Sequence, residues 1–370
     1  MTGRPDGTGG VALERVLVIG AGLIGTSVGL ALRRHDVQVW ISDPDDRHGS
    51  LAETIGAGDW TADAADDRLD PQLVVVGAPP SAAAEVVADA LRHHPGAVVT
   101  DLASVKQPVI DGVAALVPCA DRHRYVPAHP MAGSERSGPL AARHDLFDGR
   151  AWAVVTDSGA SPSAIELVRT LIARCGAVPV EFAGADHDRA VALVSHLPHV
   201  AAATVAGLLA DAPADYLALA GQGVRDVTRV AGSDPVLGQQ ILSTNGPALA
   251  GIVRQAATAL GALADDLTGP DPSGPVTERL QRGVDGVRRL PGKHGRPGDR
   301  FATVDVVIPD RPGALARLFA DVTDAGVNIE DIRIDHDVAS AQGHAELSVV
   351  PDAEPALTRA LTRHGWSVAG

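Results

Sequence analysis

The first half of the chain alternates short apolar runs with longer segments rich in Ala and Leu. The short runs are bounded by turn-forming residues and predict buried strands, whereas the longer segments predict helices. This alternation indicates an α/β protein with a mostly parallel, doubly wound sheet. The predicted strands are Arg15–Gly20, Val37–Ser42, Leu73–Gly77, Ala97–Thr100, Tyr125–Ala128, Ala151–Thr156 and Val178–Phe182; the predicted helices are a segment ending near Arg34, a segment Ser81–Arg92 capped by Ser81, and Ser163–Cys175.

The pattern changes twice in the second half. Residues 186–267 are helical in period and rich in Ala, Leu and Val, and residues 268–300 are rich in Pro, Gly, Asp and Arg, with a short polar helix at Val276–Arg289. The last 70 or so residues predict a ferredoxin-like βαββαβ unit. Its predicted strands are Ala302–Ile308, Val327–Ile334, His344–Val350 and Trp366–Ala369, and its helices are a segment ending at Ala325 and Glu354–Arg363.

Composition narrows the class of partners. The net charge of −15 disfavours nucleic acid and anionic membranes as partners. No apolar run approaches the ~20 residues of a membrane span, and the first residues lack the apolar core of a signal peptide. Two cysteines without CxxC spacing argue against a disulfide framework or a zinc site. We therefore expect a cytoplasmic protein.

A nucleotide-binding pattern follows the first strand. The sequence Gly20-Ala-Gly-Leu-Ile-Gly25 lies between a strand and a helix, and the next strand ends at Asp43. Gly20 permits the tight turn, Gly22 lets the backbone approach a pyrophosphate, and Gly25 lets helix and strand pack closely. Asp43 would accept hydrogen bonds from the ribose hydroxyls and repel a 2′-phosphate, so NAD is preferred to NADP.

Polar residues follow two later strands, at the edge where such sheets bind ligands. Ser104 and Lys106 follow the predicted strand Ala97–Thr100, and His129 comes directly after Tyr125–Ala128. A histidine at this edge has a pKa suited to proton abstraction. The alternatives are a histidine that only stabilises a turn and a serine that only satisfies backbone groups.

The helical region contains a second polar cluster. Pro198 lies between His196 and His199 in an apolar helix, where it removes a backbone hydrogen bond and is expected to kink the chain. A metal site is not expected, because no third ligand lies near the two histidines. Further along, Arg225 and Arg229 are spaced to share a helical face, where they would bind a carboxylate or form a solvated surface.

In this order, the motifs resemble the prephenate/arogenate dehydrogenases of tyrosine biosynthesis with a C-terminal ACT domain. The resemblance implies a Rossmann NAD-binding domain at 14–183, a helical substrate and dimerisation domain at 184–290, a linker at 291–300 and an ACT regulatory domain at 301–370. The matching segments begin at Gly20, Asp101, His129, Ser195, Asp226, Asp310 and Val327.

The resemblance implies oxidative decarboxylation of prephenate with NAD. His129 would accept the proton of the substrate hydroxyl, and Ser104 would orient His129. Arg229 would bind a substrate carboxylate. The resemblance places Ser195, His196, His199, Asp226 and Glu135 with Arg229 in the substrate site, and Leu23, Ile24 and Lys106 with the three glycines and Asp43 in the cofactor site.

The terminal module implies regulation. An ACT domain implies feedback by an aromatic amino acid, most plausibly tyrosine, at a site near Pro312, Gly313 and Asn328. The alternative is a dimerisation module that binds nothing. The resemblance also implies a homodimer formed through the helical domain.

Several alternatives remain open at this level. Gly238 stands where the family often has Trp, so arogenate and 4-amino-4-deoxyprephenate stay open as substrates. A β-hydroxyacid dehydrogenase would need a catalytic lysine in the helical domain, but Lys106 and Lys293 both lie outside it. A non-catalytic sensor of nucleotides or amino acids is a third interpretation, disfavoured by the joint presence of Ser104, His129, His199 and Arg229.

Overall fold

A computed structural model describes residues 12–133, 136–232, 235–290, 301–336 and 342–369. The chain divides into two compact units, Met1–Thr258 and Ala259–Gly370. The predicted linker at 291–300 and Glu135 lie outside the described residues. The four predicted domain ranges remain a prediction.

The first unit is built on one large sheet whose strands are short, apolar and mostly buried. In the first strand Val16 and Val18 are fully inaccessible to solvent, and in the fourth strand Val74 and Val76 are. The strands are β1 Arg15–Ile19, β2 Gln38–Ser42, β3 Asp59–Trp60, β4 Leu73–Val76, β5 Val98–Asp101, β6 Tyr125–Pro130, β7 Ala151–Val155 and β8 Val178–Phe182.

The strand order confirms the doubly wound prediction. It runs β3-β2-β1-β4-β5-β6-β7-β8, with parallel neighbours from β3 to β6 and again between β7 and β8. The pair β6 and β7 is antiparallel, with His129 opposite Ala153. The order reverses between β1 and β4, which is where folds of this kind open a ligand crevice at the carboxyl edge.

Helices cover both faces of this sheet. One apolar core contains Val28 and Leu171, and the other contains Val87 and Val113. The expected cap at Ser81 is wrong, because the third helix begins at Pro80 with Pro79 as N-cap and no capping side chain. The helices are α1 Leu23–Arg33, α2 Asp46–Thr54, α3 Pro80–His93, α4 Gln107–Leu116 and α5 Pro162–Arg174.

The middle of the chain is helical, as predicted. Pro198 lies in the first turn of α7, and the residues before it, Ala192–His196, form a π-helical turn. The π-helical turn thus precedes the proline that cannot donate a helical hydrogen bond. The helices are α6 Gly184–Val191, α7 Leu197–Ala210, α8 Ala214–Leu217, α9 Gln222–Thr228, α10 Pro235–Thr244 and α11 Gly246–Thr268.

Two helical segments correct the expectation that no apolar run is long enough to cross a membrane. Gly184–Ala210 and Gly246–Thr268 pass that test by length and composition, with mean hydropathies of 1.5 and 1.2. Only 22% and 6% of their apolar windows are buried inside the chain. Most of the apolar surface of these helices is therefore uncovered by the described residues of one copy.

The second unit contains the predicted βαββαβ fold. Its sheet is antiparallel in the order β10-β11-β9-β12. Its third element differs from the prediction, because the strand starts at Asp331 and not at Val327. The elements are α12 Ser273–Val287, β9 Ala302–Pro309, α13 Ala314–Asp324, β10 Asp331–His336, β11 Gln342–Val349, α14 Glu354–Arg363 and β12 Ser367–Ala369.

Candidate active site

The glycine loop lies at the strand-order reversal and is shaped by backbone packing. Gly20 has φ of 110°, and a Cβ there would lie 2.6 Å from the carbonyl oxygen of Gly77. A Cβ on Gly25 would lie 2.0 Å from the carbonyl oxygen of Gly20. Both positions therefore require glycine for steric reasons within the described fold.

Gly22 differs from the other two glycines, because a Cβ there would meet no described atom within 4 Å. It is the N-cap of α1 and makes no side-chain cap, so the first-turn N–H groups of Leu23 and Ile24 have no capping side chain. This open space beside a helix N-terminus fits the pyrophosphate of a dinucleotide. The side chains of Leu23 and Ile24 pack against the core.

Asp43 follows β2 and is bonded to the loop itself. Its carboxylate accepts hydrogen bonds from the backbone N–H of Ala21 at 2.6 Å and of Asp45 at 2.9 Å. Each carboxylate oxygen carries two lone pairs, so accepting capacity remains for ribose hydroxyls. The loop and its acidic residue are thus fixed together before any cofactor binds.

His129 lies inside β6, which corrects the expectation that it follows the strand. It is the fifth residue of a fully buried strand and is itself 9% exposed. Since β6 runs parallel to β5, its end lies at the same carboxyl edge as the glycine loop. An interior strand holds the residue more firmly than the predicted loop would.

The ring of His129 is held by a second histidine. Its Nδ1 lies 3.1 Å from Nε2 of His187, and Nδ1 of His187 lies 2.8 Å from Oδ1 of Asp188. The predicted orienting residue, Ser104, lies half-buried in the loop after β5. Among the described residues, the partner of His129 is His187 and not Ser104.

Lys106, a predicted cofactor residue, is buried behind this site, and its contact with the cofactor stays a prediction. The side chain is fully buried, and its ammonium donates to Asp101 and to the carbonyl oxygen of Ala128 at 2.7 Å. Asp101 also accepts a hydrogen bond from the Tyr125 hydroxyl at 2.7 Å. Burial lowers the pKa of Lys106, and the charge of Asp101 opposes that shift.

The electrostatic surroundings keep His129 neutral. Burial is the main cause that brings the pKa of His129 well below its ordinary value, and the charge of Lys106 and the neighbouring His187 and His196 act in the same direction. Burial would raise the pKa of Asp188, but hydrogen bonds from His187 and from two backbone N–H groups lower it overall. A neutral imidazole at this edge of the sheet can accept a proton.

The helical region joins this cluster through Asn245. Its side-chain nitrogen donates to the carbonyl oxygen of Asp188 at 2.9 Å and lies 3.2 Å from Nδ1 of His196. His196 is buried, and its burial lowers its pKa. The structure therefore brings His129 and His196 into one buried network.

His199 borders a cavity of about 570 Å³ next to the position of the family tryptophan. A Cβ on Gly238 would lie 3.6 Å from Nε2 of His199. The other lining residues are Ala203, Ala231, Pro235, Gln239, Leu242 and Ser243. Glycine at 238 thus leaves space directly beside a predicted substrate-binding residue.

The remaining predicted substrate residues that the structure describes are exposed. Ser195 lies in the π-helical turn, and Asp226 accepts a hydrogen bond from Gln222 at 2.9 Å within α9. Arg229 is the C-cap of α9 and has helical backbone angles, four residues after Arg225. All of these side chains stay predictions as substrate contacts.

In the terminal unit, two of the predicted effector residues open α13. Gly313 is its N-cap with φ of 85°, directly after exposed Pro312. Asn328 donates to the carboxylate of the buried Glu330 at 2.7 Å. The three residues remain a predicted effector site.

A glycine loop open to a pyrophosphate and a neutral histidine at the same sheet edge define a dinucleotide-dependent dehydrogenase. Family models narrow this class: the prephenate dehydrogenase nucleotide-binding domain matches residues 28–181, its dimerization domain matches 183–270, and the ACT domain matches 302–364. The chain belongs to the prephenate dehydrogenase family and carries a C-terminal ACT domain.

Individual relatives agree with the family models. The chain is 36% identical to the "Probable prephenate dehydrogenase NovF" of Streptomyces niveus, over 96% of this chain and 99% of that protein. It is 26% identical to prephenate dehydrogenase of Bacillus subtilis, over 87% and 88% of the two chains. The prephenate dehydrogenase of A. aeolicus, solved with hydroxyphenyl propionate and NAD⁺, has a similar fold, with a TM-score of 0.68, 24% identity and coverage of 75% and 98%.

Three residues of the site escaped the sequence-based prediction. His187 and Asp188 lie 58 and 59 positions after His129, and Asn245 lies 49 positions after His196. The one available signal is the adjacent pair His187-Asp188 at the start of the helical region, where a charged pair precedes an apolar helix. Nothing local indicates which residue that pair contacts.

Proposed function

We propose that the chain catalyses the NAD-dependent oxidative decarboxylation of prephenate to 4-hydroxyphenylpyruvate. The observation that carries this proposal is the neutral, buried His129 at the carboxyl edge of the sheet that also bears the glycine loop. The family assignment supplies the substrate class, and the histidine supplies the proton acceptor that this substrate requires.

The chemistry divides between the cofactor and the chain. The loop at Gly20–Gly25 and Asp43 would hold NAD, which would supply the acceptor for the hydride from C4 of the substrate. His129 takes the proton of the C4 hydroxyl. Arg229 binds a substrate carboxylate, and His199 positions the ring. Loss of carbon dioxide needs little acid catalysis because the ring becomes aromatic.

The lowered pKa of His129 suits this role. A histidine that stays neutral below its ordinary pKa is ready to accept a proton throughout the neutral range. Turnover should therefore fall only at acidic pH, as His129 becomes protonated, at a pKa below the ordinary ~6.5 of histidine.

The decisive experiment measures NADH formation by the purified protein, with prephenate and arogenate in parallel. We expect turnover on prephenate, and loss of about 10²- to 10⁴-fold in turnover for His129→Asn, with NAD affinity kept. Unchanged turnover in this variant would contradict the role of His129. Turnover on arogenate alone would keep the mechanism and move the specificity to the cavity beside Gly238.

The proposal extends to assembly, location and control. We infer a cytoplasmic homodimer, supported by the dimerization domain and by the apolar helices that one copy leaves uncovered. The ACT domain supports an amino-acid effector. Feedback by tyrosine is our specific proposal, because tyrosine is the end product of the pathway in which the family acts, and it would shift an existing equilibrium.

A further inference from the structure

We propose that His187 and Asp188 are positioning residues that fix His129 in the tautomer whose Nε2 accepts the substrate proton. The proposal rests on the proposed function for its catalytic consequence. Its geometric basis is the chain of contacts from Asp188 through His187 to His129.

The first step is that Asp188 can only accept hydrogen bonds. Its Oδ1 accepts from the backbone N–H of Lys106 at 2.7 Å, and its Oδ2 accepts from that of Gln107 at 2.9 Å. Two backbone donors on the two oxygens favour the ionised carboxylate, which has no proton to donate. The contact at 2.8 Å with His187 therefore requires Nδ1 of His187 to be the donor.

The second step concerns the neutral form of His187, whose imidazole carries a single proton. With Nδ1 of His187 protonated, its Nε2 is an acceptor, so Nδ1 of His129 must donate across the 3.1 Å contact. Nε2 of His129 is then unprotonated. None of the described residues bonds that nitrogen, which leaves its lone pair available to a substrate hydroxyl.

The third step concerns the charge that forms on His129 during turnover. The groups around its ring are Lys106, His187 and His196, and Lys106 is neutralised by its ion pair with Asp101. The carboxylate of Asp188 reaches the ring through His187 and stabilises the imidazolium. The side chains of His187 and Asp188 are 1% and 8% exposed, so little water weakens this interaction.

A purely structural role for His187 is the competing explanation. Its ring packs edge-on against His129 at 5.2 Å and against Phe182 at 6.0 Å between centroids. Under that explanation, ring shape matters and ring nitrogens do not. Phenylalanine keeps the shape, whereas glutamine keeps a donor and an acceptor with a spacing similar to that of the ring nitrogens.

The test therefore compares His187→Phe with His187→Gln in the full-length protein, with His123→Phe as control. His123 is exposed and lies before β6, at the opposite edge of the sheet, and its ring lies within hydrogen-bond distance of the carbonyl oxygen of Ala120. We expect His187→Phe to lower kcat by about 10- to 100-fold and His187→Gln to lower it only a few-fold. The acid limb of the pH profile should also move in His187→Phe, because the ring of His129 loses a neighbour that contributes to its pKa shift.

Loss of activity in the glutamine variant together with retention in the phenylalanine variant would overturn the proposal. So would equal loss in both variants with unchanged pH profiles. The thermal melting curves of both variants are compared with that of His123→Phe, so that a folding defect is recognised.

A second measurement needs no substrate. In protein labelled with ¹⁵N-histidine, the ring signals of His129, assigned with His129→Asn, report its tautomer. We expect the Nδ1–H form in the wild type and a mixture in His187→Phe. The Nε2–H form in the wild type would overturn the positioning role even if the protein turns over prephenate. The Nδ1–H form in a protein without turnover would preserve the positioning role and contradict the proposed function.

Discussion

Burial of His129 and His196 has a consequence for stability as well as for catalysis. Burial lowers the pKa of both side chains in the folded chain. In the unfolded chain both titrate near ~6.5, so between that value and the lowered pKa the unfolded state binds more protons. The free energy of unfolding is therefore not reduced by these two histidines above pH ~6.5, and it decreases as the pH falls below that value.

We expect the melting temperature of the wild type to drop between pH 7.5 and pH 5.5, and to drop less in His129→Asn. For each proton that the unfolded state binds and the folded state does not, the free energy of unfolding falls by about 1.4 kcal/mol per pH unit. Differential scanning calorimetry at both pH values measures the change. Identical pH dependence in the two proteins would show that His129 is not held neutral in the folded state.

Gly22, the N-cap of α1, is expected to matter for cofactor binding, whereas Gly29, inside α1, is expected to matter for folding. At Gly22 a Cβ meets no described atom within 4 Å, whereas at Gly29 it would lie 2.3 Å from the carbonyl oxygen of Ala57. Gly22→Ala should keep the melting temperature and weaken NAD binding, because its methyl group projects toward the pyrophosphate position. Gly29→Ala should destabilise the fold by about 1–3 kcal/mol.

Calorimetry and NAD titration of both variants check this pair. Full NAD affinity in folded Gly22→Ala would contradict the placement of the pyrophosphate.

At the residue scale, the sequence predicts contacts that are local and misses those that are distant. The loop at Gly20–Gly25 was predictable because its spacing reflects a single strand, turn and helix. The pairing of His129 with His187 was not, because it depends on how α6 packs against the carboxyl edge of the sheet. The buried position of Lys106 likewise follows from the packing of the loop after β5 under β6.

At the scale of single elements, the apolar surfaces of helices α7 and α11 have a consequence for assembly. Their apolar faces are largely uncovered by the described residues of one copy, and they lie in the segment matched by the dimerization domain. Burial of that surface against a second copy removes apolar area from water. The proposed homodimer would thus account for helices in this chain that are as apolar as membrane spans.

A charged residue on this surface should separate the two copies. Leu208 on α7 and Leu140, outside the dimerization domain, are both 76% exposed. We expect Leu208→Asp to shift the protein from dimer to monomer, because the carboxylate would be buried at the interface. Leu140→Asp should leave the assembly unchanged. Analytical ultracentrifugation distinguishes the two outcomes, and a dimeric Leu208→Asp would exclude this face of α7 from the interface.

The extent of elements was predicted less well than their type. The helix Glu354–Arg363 has the predicted bounds, since its amphipathic pattern and flanking turns are local. The strand expected from Val327 begins only at Asp331, because alternation continues into residues that precede pairing with β11. The π-helical turn before Pro198 depends on how the chain accommodates one missing donor, which residue types alone do not specify.

At the scale of the whole molecule, the proposed feedback by tyrosine would act through the terminal unit. We expect Asn328→Ala to raise the tyrosine concentration needed for half-inhibition by at least about tenfold, the change that corresponds to 1.4 kcal/mol of lost coupling. Loss of the amide removes a polar group from the proposed effector site, together with its hydrogen bond to Glu330. Inhibition curves at fixed prephenate and NAD give the result. An unchanged curve would place the effector elsewhere.

The antiparallel pairing of β6 with β7 also imposes an order on assembly. The glycine loop and Asp43 are complete once β4 has been synthesised, since Gly20 packs against Gly77, whereas His129 needs β7 on one side and His187 on α6. A chain emerging from the ribosome should thus recognise nucleotide before it can catalyse. For a time it would be a binding protein and only afterwards an enzyme.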